Sequence, residues 1–423
     1  MFRRFTKVNR DTTVRAIAVT ASGGTAAATG NITLTTAAAA NGNVRVYVCD
    51  EFVDVAVTSG DAFDTTGAAI VTAVNAQTHW PVTAAYSTPN LTLTAKIAGP
   101  RGNQIRAQIV KSAGLGTTFS AYTTDTALAS GATADSSTTA LATIASTKYY
   151  YIVSAAGDAT QLGALATQVN TLAAPTTGIR QRAIGGAVGT LGATTTIATG
   201  INSARTEIVW QEKSLLPEAE LAANQAAVIT LFETKPNPRT NYANFGQDAV
   251  TQDFWVVPAQ RLKSAWPSRT SIKSALNNGF SPIGVQTNGR SYLVNRITSR
   301  SLNGSENDYR IRAAHKVTVC DFFGDDLLAK TVLQFSGKRI MDDPARGQRP
   351  PGGSVLTPTI YRGAILGLLD QYDSNDLLDN LAKIKEGLVV QRETSPTTRM
   401  SARIPMRVVD NCEQFALALD QVA

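Results

Sequence analysis

The chain has 423 residues, which at about 150 residues per domain argues for two or three domains with cores of their own. Lys and Arg number 39 against 32 Asp and Glu, and the resulting excess of +7 is interspersed with acids rather than clustered, which argues against a nucleic-acid-binding face. Three widely spaced cysteines (Cys49, Cys320, Cys412) make neither a disulfide framework nor an all-cysteine zinc site and read as reduced; His79 and His315 alone leave little material for His-based metal sites or triads.

No stretch of 18 apolar residues occurs, and the opening MFRRFTKVNR lacks the apolar core of a signal peptide. Residues 14–19 (VRAIAV) read as a first strand. NITLT, VRVYVC and FVDVAV then alternate with period two, TTGAAIVTAVNAQ carries Ile70, Ala73 and Val74 at helical spacing, and LTLTAKI and NQIRAQIV resume the strand period. Residues 1–120 are thus expected to form a β-rich domain, with the Ser/Thr/Ala/Gly-rich stretch 121–140 as a linker.

From 141 to 240 the pattern is strand, helix, strand, helix. YYYIV precedes a helix capped by Asp158 with Gln161 three residues on and striped by Leu162, Leu165, Val169 and Leu172. GIRQRAIGG, VGTLGATTTIATGIN, TEIVW and the Pro217-led PEAELAANQAAVITLFE continue the alternation, which predicts a three-layer α/β unit. Residues 241–423 read as a mixed α+β domain. RSYLVNRIT and YRIRAAHKVTV are expected to be strand-containing, Pro358 opens a helix with Tyr361, Ile365, Leu368, Leu369 and Tyr372 on one face, and Ser374 is expected to cap another carrying Leu377, Leu378, Leu381 and Ile384. At the end, Met400, Ala402, Ile404, Met406 and Val408 alternate with polar residues, DNCEQ turns, and Phe415, Leu417 and Leu419 alternate again. This is a β-ribbon arm over about 394–423, with Pro405 confining it to an edge.

The constellations that could carry chemistry are thin. Gly185, Gly186, Gly189 and Gly192 follow a strand and open a helix, but neither dinucleotide nor P-loop spacing is present, so close helix-to-strand packing is the better reading than a nucleotide-binding enzyme. AGPRGNQI, with Gly99 and Gly102, has no phosphate lysine and reads as a tight turn. Asp325 with Asp326, Asp342 with Asp343, and Asp370, Asp373, Asp376 and Asp379 read as solvated or subunit-facing acids, the last two on the first turn and surface of a capped helix. Lys338, Arg339, Arg346 and Arg349 form the most basic loop-like stretch and have no aromatics for base stacking. His79 and His315 are expected in ordinary hydrogen-bonded roles. The terminal ribbon can equally be an edge hairpin on its own domain or an exchanged arm.

SRTSIKSALNNGFSPIGVQTNGRSYLVNRITSRS, with turns at Asn278–Gly279 and Asn288–Gly289 and a strand ending in Arg296, Ile297 and Thr298, resembles a segment of the contractile tail sheath proteins of tailed phages. DYRIRAAHKVTVCDFFGDDLLAKTVLQFSGKRIMDD, TPTIYRGAILGLLDQY, the closing ribbon and the GPRGNQI region are similar to the branch typified by Mu-like myophages. The resemblance implies a structural protein of the virion tail, assembled in the host cytoplasm, with no cofactor, catalysis, bound metal, nucleic-acid contact or membrane insertion. Its partners would be further copies of itself, the tail tube protein, and baseplate and tail terminator proteins. Members of that family usually carry a further N-terminal segment with an arm ahead of the part matching MFRRFTKVN, so on this resemblance the chain is either a shortened sheath or starts at an internal methionine of a longer product. On this reading Met400, Ile404, Met406, Val408, Phe415, Leu417, Leu419, Lys338, Arg339, Arg346, Asp370 and Asp373 are the candidates for contact between subunits. The remaining alternative within phage structure is a baseplate or tube component, and the length favours the sheath.

Overall fold

The computed structural model describes residues 13–19, 27–132, 135–233, 257–289, 291–345, 348 and 352–409. They fall into two compact units, one holding the described residues through Arg312 and the other those from Ala313 onward.

The first unit opens with two four-stranded sheets. Its strands are β1 (Ala27–Thr35), β2 (Gly42–Val48), β3 (Glu51–Val57), β4 (Val82–Ser87), β5 (Asn90–Ala98), β6 (Arg106–Lys111), β7 (Thr118–Phe119) and β8 (Thr126–Ala127), in the orders β4-β5-β1-β7 and β3-β2-β6-β8. Period-two alternation sends Ile32, Leu34, Val44, Val46, Leu91, Leu93 and Ile109 into one core, which helix α1 (Phe63–Ala76) joins through Ile70 and Val74. Gly67 lets α1 lie against the Tyr86 ring, since a Cβ there would sit 2.4 Å from it. Residues 14–19 are not a strand. Among the described residues they have no ladder partner, and they are largely exposed, so their apolar alternation joins no described sheet. Nor are residues 121–140 a linker: β8 pairs with β6, Thr29 bridges Ala129, and α2 (Thr138–Ile144) packs Leu141 and Ile144 beside Leu165 and Val169.

The same unit continues as a three-layer α/β sandwich, in keeping with the expected mixture of β-rich, α/β and α+β parts. Strands β9 (Tyr151–Val153), β10 (Arg182–Ala187), β11 (Thr206–Trp210) and β12 (Ser281–Val285) run parallel, and β13 (Ser291–Leu293) adds an antiparallel edge. Helices α3 (Ala159–Leu172), α4 (Leu191–Ile201) and α6 (Arg269–Asn277) cover one face through Leu162, Ala198 and Ala275, while α5 (Glu218–Glu233) lies on the other. Burial on both faces explains why β10 and β11 are buried at every position. Asp158 caps α3 by accepting from the Gln161 N–H at 3.0 Å, as its sequence signal predicts. The strand expected to end in Arg296, Ile297 and Thr298 stops at Leu293. A short hairpin of β14 (Leu302–Asn303) and β15 (Glu306–Asn307) follows.

The second unit is built on α7 (Ala314–Phe335), α8 (Pro358–Asp373) and α9 (Leu381–Glu386). With them go a parallel pair, β16 (Arg339–Ile340) and β17 (Val355–Leu356), and an antiparallel ribbon, β18 (Val389–Arg392) and β19 (Met400–Arg403). Of YRIRAAHKVTV, expected to contain a strand, the part from Ala314 onward is instead the first turns of the 22-residue α7, and residues 309–313 lead into it. Its β-branched run Val317–Thr318–Val319 resembles a strand locally, but burial of Ala314, Val319, Phe323 and Leu327 against the core selects the helix. Ser374 closes α8 rather than opening the next helix, whose N-cap is Asn380, accepting from the Lys383 N–H at 3.3 Å. Asp376 and Asp379 accordingly lie in the connection, Asp376 at φ +54°. Val319, Phe323, Ile365, Leu368, Leu369 and Tyr372 form the core.

Candidate assembly surface

Helix α7 turns two different faces outward and inward. Phe323 and Leu327 point to the core, and Phe323 meets Tyr372 edge-on with ring centroids 4.9 Å apart. One-turn steps place Leu328 above Val332, and Ala329 above Leu333, on the opposite side. There Leu328 is 52%, Val332 58% and Leu333 85% exposed. Such a run of large apolar side chains is unusual for a solvated helix.

The ribbon supplies a second element. Val389 pairs with Arg403, Val390 with Ala402, Gln391 with Ser401 and Arg392 with Met400, and among the described residues neither strand has another ladder partner. Val390 turns to the core while Val389 is exposed. Of the residues singled out from the sequence, Met400 is thus paired within its own chain. Ile404, Met406 and Val408 pack half-buried against the unit's own core, with Val408 bridged to Leu378. The strand stops at Arg403, before Pro405, whose missing N–H cannot extend the ladder. His315 Nε2 lies 3.0 Å from the Val409 carbonyl oxygen and fixes the last described turn of chain. Phe415, Leu417, Leu419 and Cys412 lie outside the described residues, as do Arg346 and Arg349.

The charged candidates sort differently. Lys338 lies over the Phe335 ring at 5.2 Å, and Arg339 is exposed on β16. Asp370 is held by Lys385 at 2.6 Å, Asp326 by Lys330 at 3.3 Å, and Asp342 by Arg392 at 3.3 Å, all within the unit; Asp373 is half-buried at the end of α8. These exposed pairs contribute about 0–1 kcal/mol each, so they remain exchangeable for other partners.

The constellations that could suggest chemistry resolve into packing. A Cβ at Gly185 would lie 2.4 Å from Leu162, and one at Gly186 would lie 2.1 Å from the Glu218 carbonyl oxygen, so these glycines let α3 and α5 close on β10 from both sides. Gly192 has open space around it. AGPRGNQI is a turn, with Gly99 at φ +92° and a short 3-10 helix over Pro100–Gln104. It also carries a function that no local signal announces. Gln104 Nε2 donates to Glu218 Oε2 at 2.6 Å, Glu218 N–H donates back to Gln104 Oε1 at 2.9 Å, and the Gly157 N–H donates to the same carboxylate at 2.7 Å. Burial nevertheless pushes the Glu218 pKa up to about 7. Arg261 makes a second such link, lying 4.2 Å over the Tyr47 ring, 3.6 Å from Asp125 and donating to the Cys49 carbonyl. His79 pairs with Glu51 at 2.6 Å on the surface. Neither Cys49 nor Cys320 is in a disulfide. Among the described residues no group of His, Cys, Asp and Glu is arranged to hold a metal ion, and no helix is long and apolar enough to cross a membrane.

No family model matches the chain. It is 21% identical over 395 residues, 93% of its length and 79% of the relative's, to the Mu-like prophage FluMu tail sheath protein of Haemophilus influenzae. Among solved structures it is similar to the sheath tail protein of Desulfitobacterium hafniense, with TM-score 0.42 and 13% identity, covering 78% of this chain and 82% of that one. It is also similar to the sheath tail protein of Listeria innocua, with TM-score 0.44, 10% identity and 76% of each chain covered. A third match is the contracted-state sheath complex of an extracellular contractile injection system, with TM-score 0.38 and 13% identity over 65% of this chain and 71% of that one.

Proposed function

We propose that this chain is a structural subunit of a contractile tail sheath: copies of it polymerise around a tail tube, and contraction of the lattice drives the tube through a cell envelope. The observation that carries this reading is the similarity over 93% of the chain to a Mu-like tail sheath protein. The exposed apolar face of α7 and the open ribbon β18–β19 support it from the physics of the chain itself.

The work of the chain on this reading is assembly rather than catalysis, with no cofactor. Its partners are other copies of itself, the tail tube, and the baseplate and terminator at the two ends, in a virion tail assembled in the host cytoplasm. The C-terminal third carries polymerisation, and the β-rich N-terminal part faces outward. The ribbon accepts an extended strand from a neighbouring copy, the segment with Phe415, Leu417 and Leu419 being the candidate, so that hydrogen bonds across the ladder hold subunits together while they slide. Contraction is driven by conformational energy stored in the extended lattice, which the contracted lattice releases by burying more surface and pairing more charges.

Negative-stain microscopy of the purified protein tests the proposal. Long hollow cylinders are expected. Discrete particles at every salt and protein concentration, with or without tube protein, would overturn it.

A further inference from the structure

A narrow cleft lies between α5 and the β11-β12-β13 side of the sheet, walled by Val209, Leu221 and Ile283 and by three polar residues, Asn224, Gln225 and Ser291. These three are 3%, 2% and 7% exposed, and among the described residues Asn224 Oδ1, Gln225 Nε2 and Ser291 Oγ have no hydrogen-bond partner. The amides stand in the stretch Leu221–Ile229, which is otherwise made of Ala, Leu, Val and Ile and buried at every position. Leaving three polar atoms desolvated around one cleft is costly, and buried polar groups are as a rule satisfied by protein or by ordered water.

The chemistry of the three atoms selects the occupant. Asn224 Oδ1 only accepts, Gln225 Nε2 only donates, and Ser291 Oγ does both. A cation would be repelled by the amide N–H, and a halide would leave the Asn224 oxygen unmet. The cleft has about 240 Å³ of empty space with its mouth included, and its inner part is no larger than one small molecule. We propose that it is a binding site for one ordered water, which accepts from Gln225 Nε2 and donates to Asn224 Oδ1 and Ser291 Oγ. Three hydrogen bonds are the usual complement of a buried water. The water thereby ties α5 to the hairpin β12–β13, a link independent of whether the chain assembles into a sheath.

The sign of one mutation tests this. With water in place, Ser291→Ala removes a hydrogen bond and lowers the thermal midpoint of the full chain by about 2–4 °C. If the cleft is dry, the same change removes an unsatisfied buried hydroxyl, and the midpoint stays level or rises, which overturns the proposal. A high-resolution map of the unaltered protein supplies the second readout. A water peak within about 2.7–3.2 Å of all three atoms is expected; empty density or a protein side chain there overturns the proposal equally.

Discussion

Arg296 and Glu207 form a bidentate ion pair inside the first unit, Nε to Oε2 and Nη2 to Oε1 each at 2.7 Å, with side chains 4% and 2% exposed. Tyr151 adds its hydroxyl to Arg296 Nη2 at 3.1 Å. The pair pins the chain beyond β13 to strand β11. Truncating Arg296 to Ala strands a buried carboxylate and is expected to cost about 3–5 kcal/mol in chemical denaturation. Replacing both partners, Arg296→Met with Glu207→Leu, is expected to recover most of that loss. Equal losses in the single and double variants would mean that packing, not charge, dominates.

The glycines of the α/β part separate into two kinds, which mutation distinguishes. Gly186→Ala forces a Cβ into backbone atoms of Glu218, and no side-chain rotation can relieve it. A loss of about 1–3 kcal/mol or more is expected. Gly192→Ala, in open space on α4, is expected to stabilise by up to about 1 kcal/mol through helix propensity. A ligand-binding role for this glycine run would predict neither pattern.

Glu218 makes stability depend on pH in an unusual direction for a carboxylate. Its folded pKa is pushed up to about 7 by burial, against about 4.3 for an unfolded glutamate. Between those values the folded chain holds a proton that the unfolded chain has lost. The contribution is therefore full below about pH 4.3 and is lost as pH rises through about 7, on the order of 3–4 kcal/mol in all. Glu218→Gln, which keeps the shape and cannot ionise, is expected to flatten this slope in denaturation curves measured from pH 5 to 8.

How far these features are legible in the sequence follows from their range along the chain. The cap Asp158–Gln161 and the stripe Ile365, Leu368, Leu369 and Tyr372 are local patterns and fold as read. Strand-like Val317–Thr318–Val319 misleads because three β-branched residues say little about the longer segment that surrounds them. Gln104 and Glu218 meet across 114 residues, and no spacing rule reaches that far. The ribbon's alternation is visible, but the outward face of α7 is not: Leu328, Val332 and Leu333 have the composition of core residues, and only the packing of Phe323 and Leu327 assigns them outward.

On the proposed assembly, the basic stretch after α7 acts through charge. Lys338→Glu with Arg339→Glu is expected to shift the ionic strength at which the chain polymerises or contracts, because exposed charges act only within a Debye length of about 8–10 Å. Turbidity and microscopy across a salt series provide the measurement. Identical behaviour of variant and parent at every salt concentration would remove these two residues from the contact.

Leu333 offers the cleanest separation of folding from assembly. At 85% exposure it contributes little to the fold, so Leu333→Asp should leave the unfolding free energy of the subunit within about 0.5 kcal/mol of the parent. If the outer face of α7 packs against a neighbouring copy, the same carboxylate must be desolvated on assembly, and polymers should shorten or fail to form. Leu327→Asp is the control. Its side chain packs against the core cluster that holds Phe323, so it should destabilise the subunit itself. Normal cylinders from Leu333→Asp would place the contact elsewhere, on the ribbon or the basic stretch, while leaving the fold argument for α7 intact.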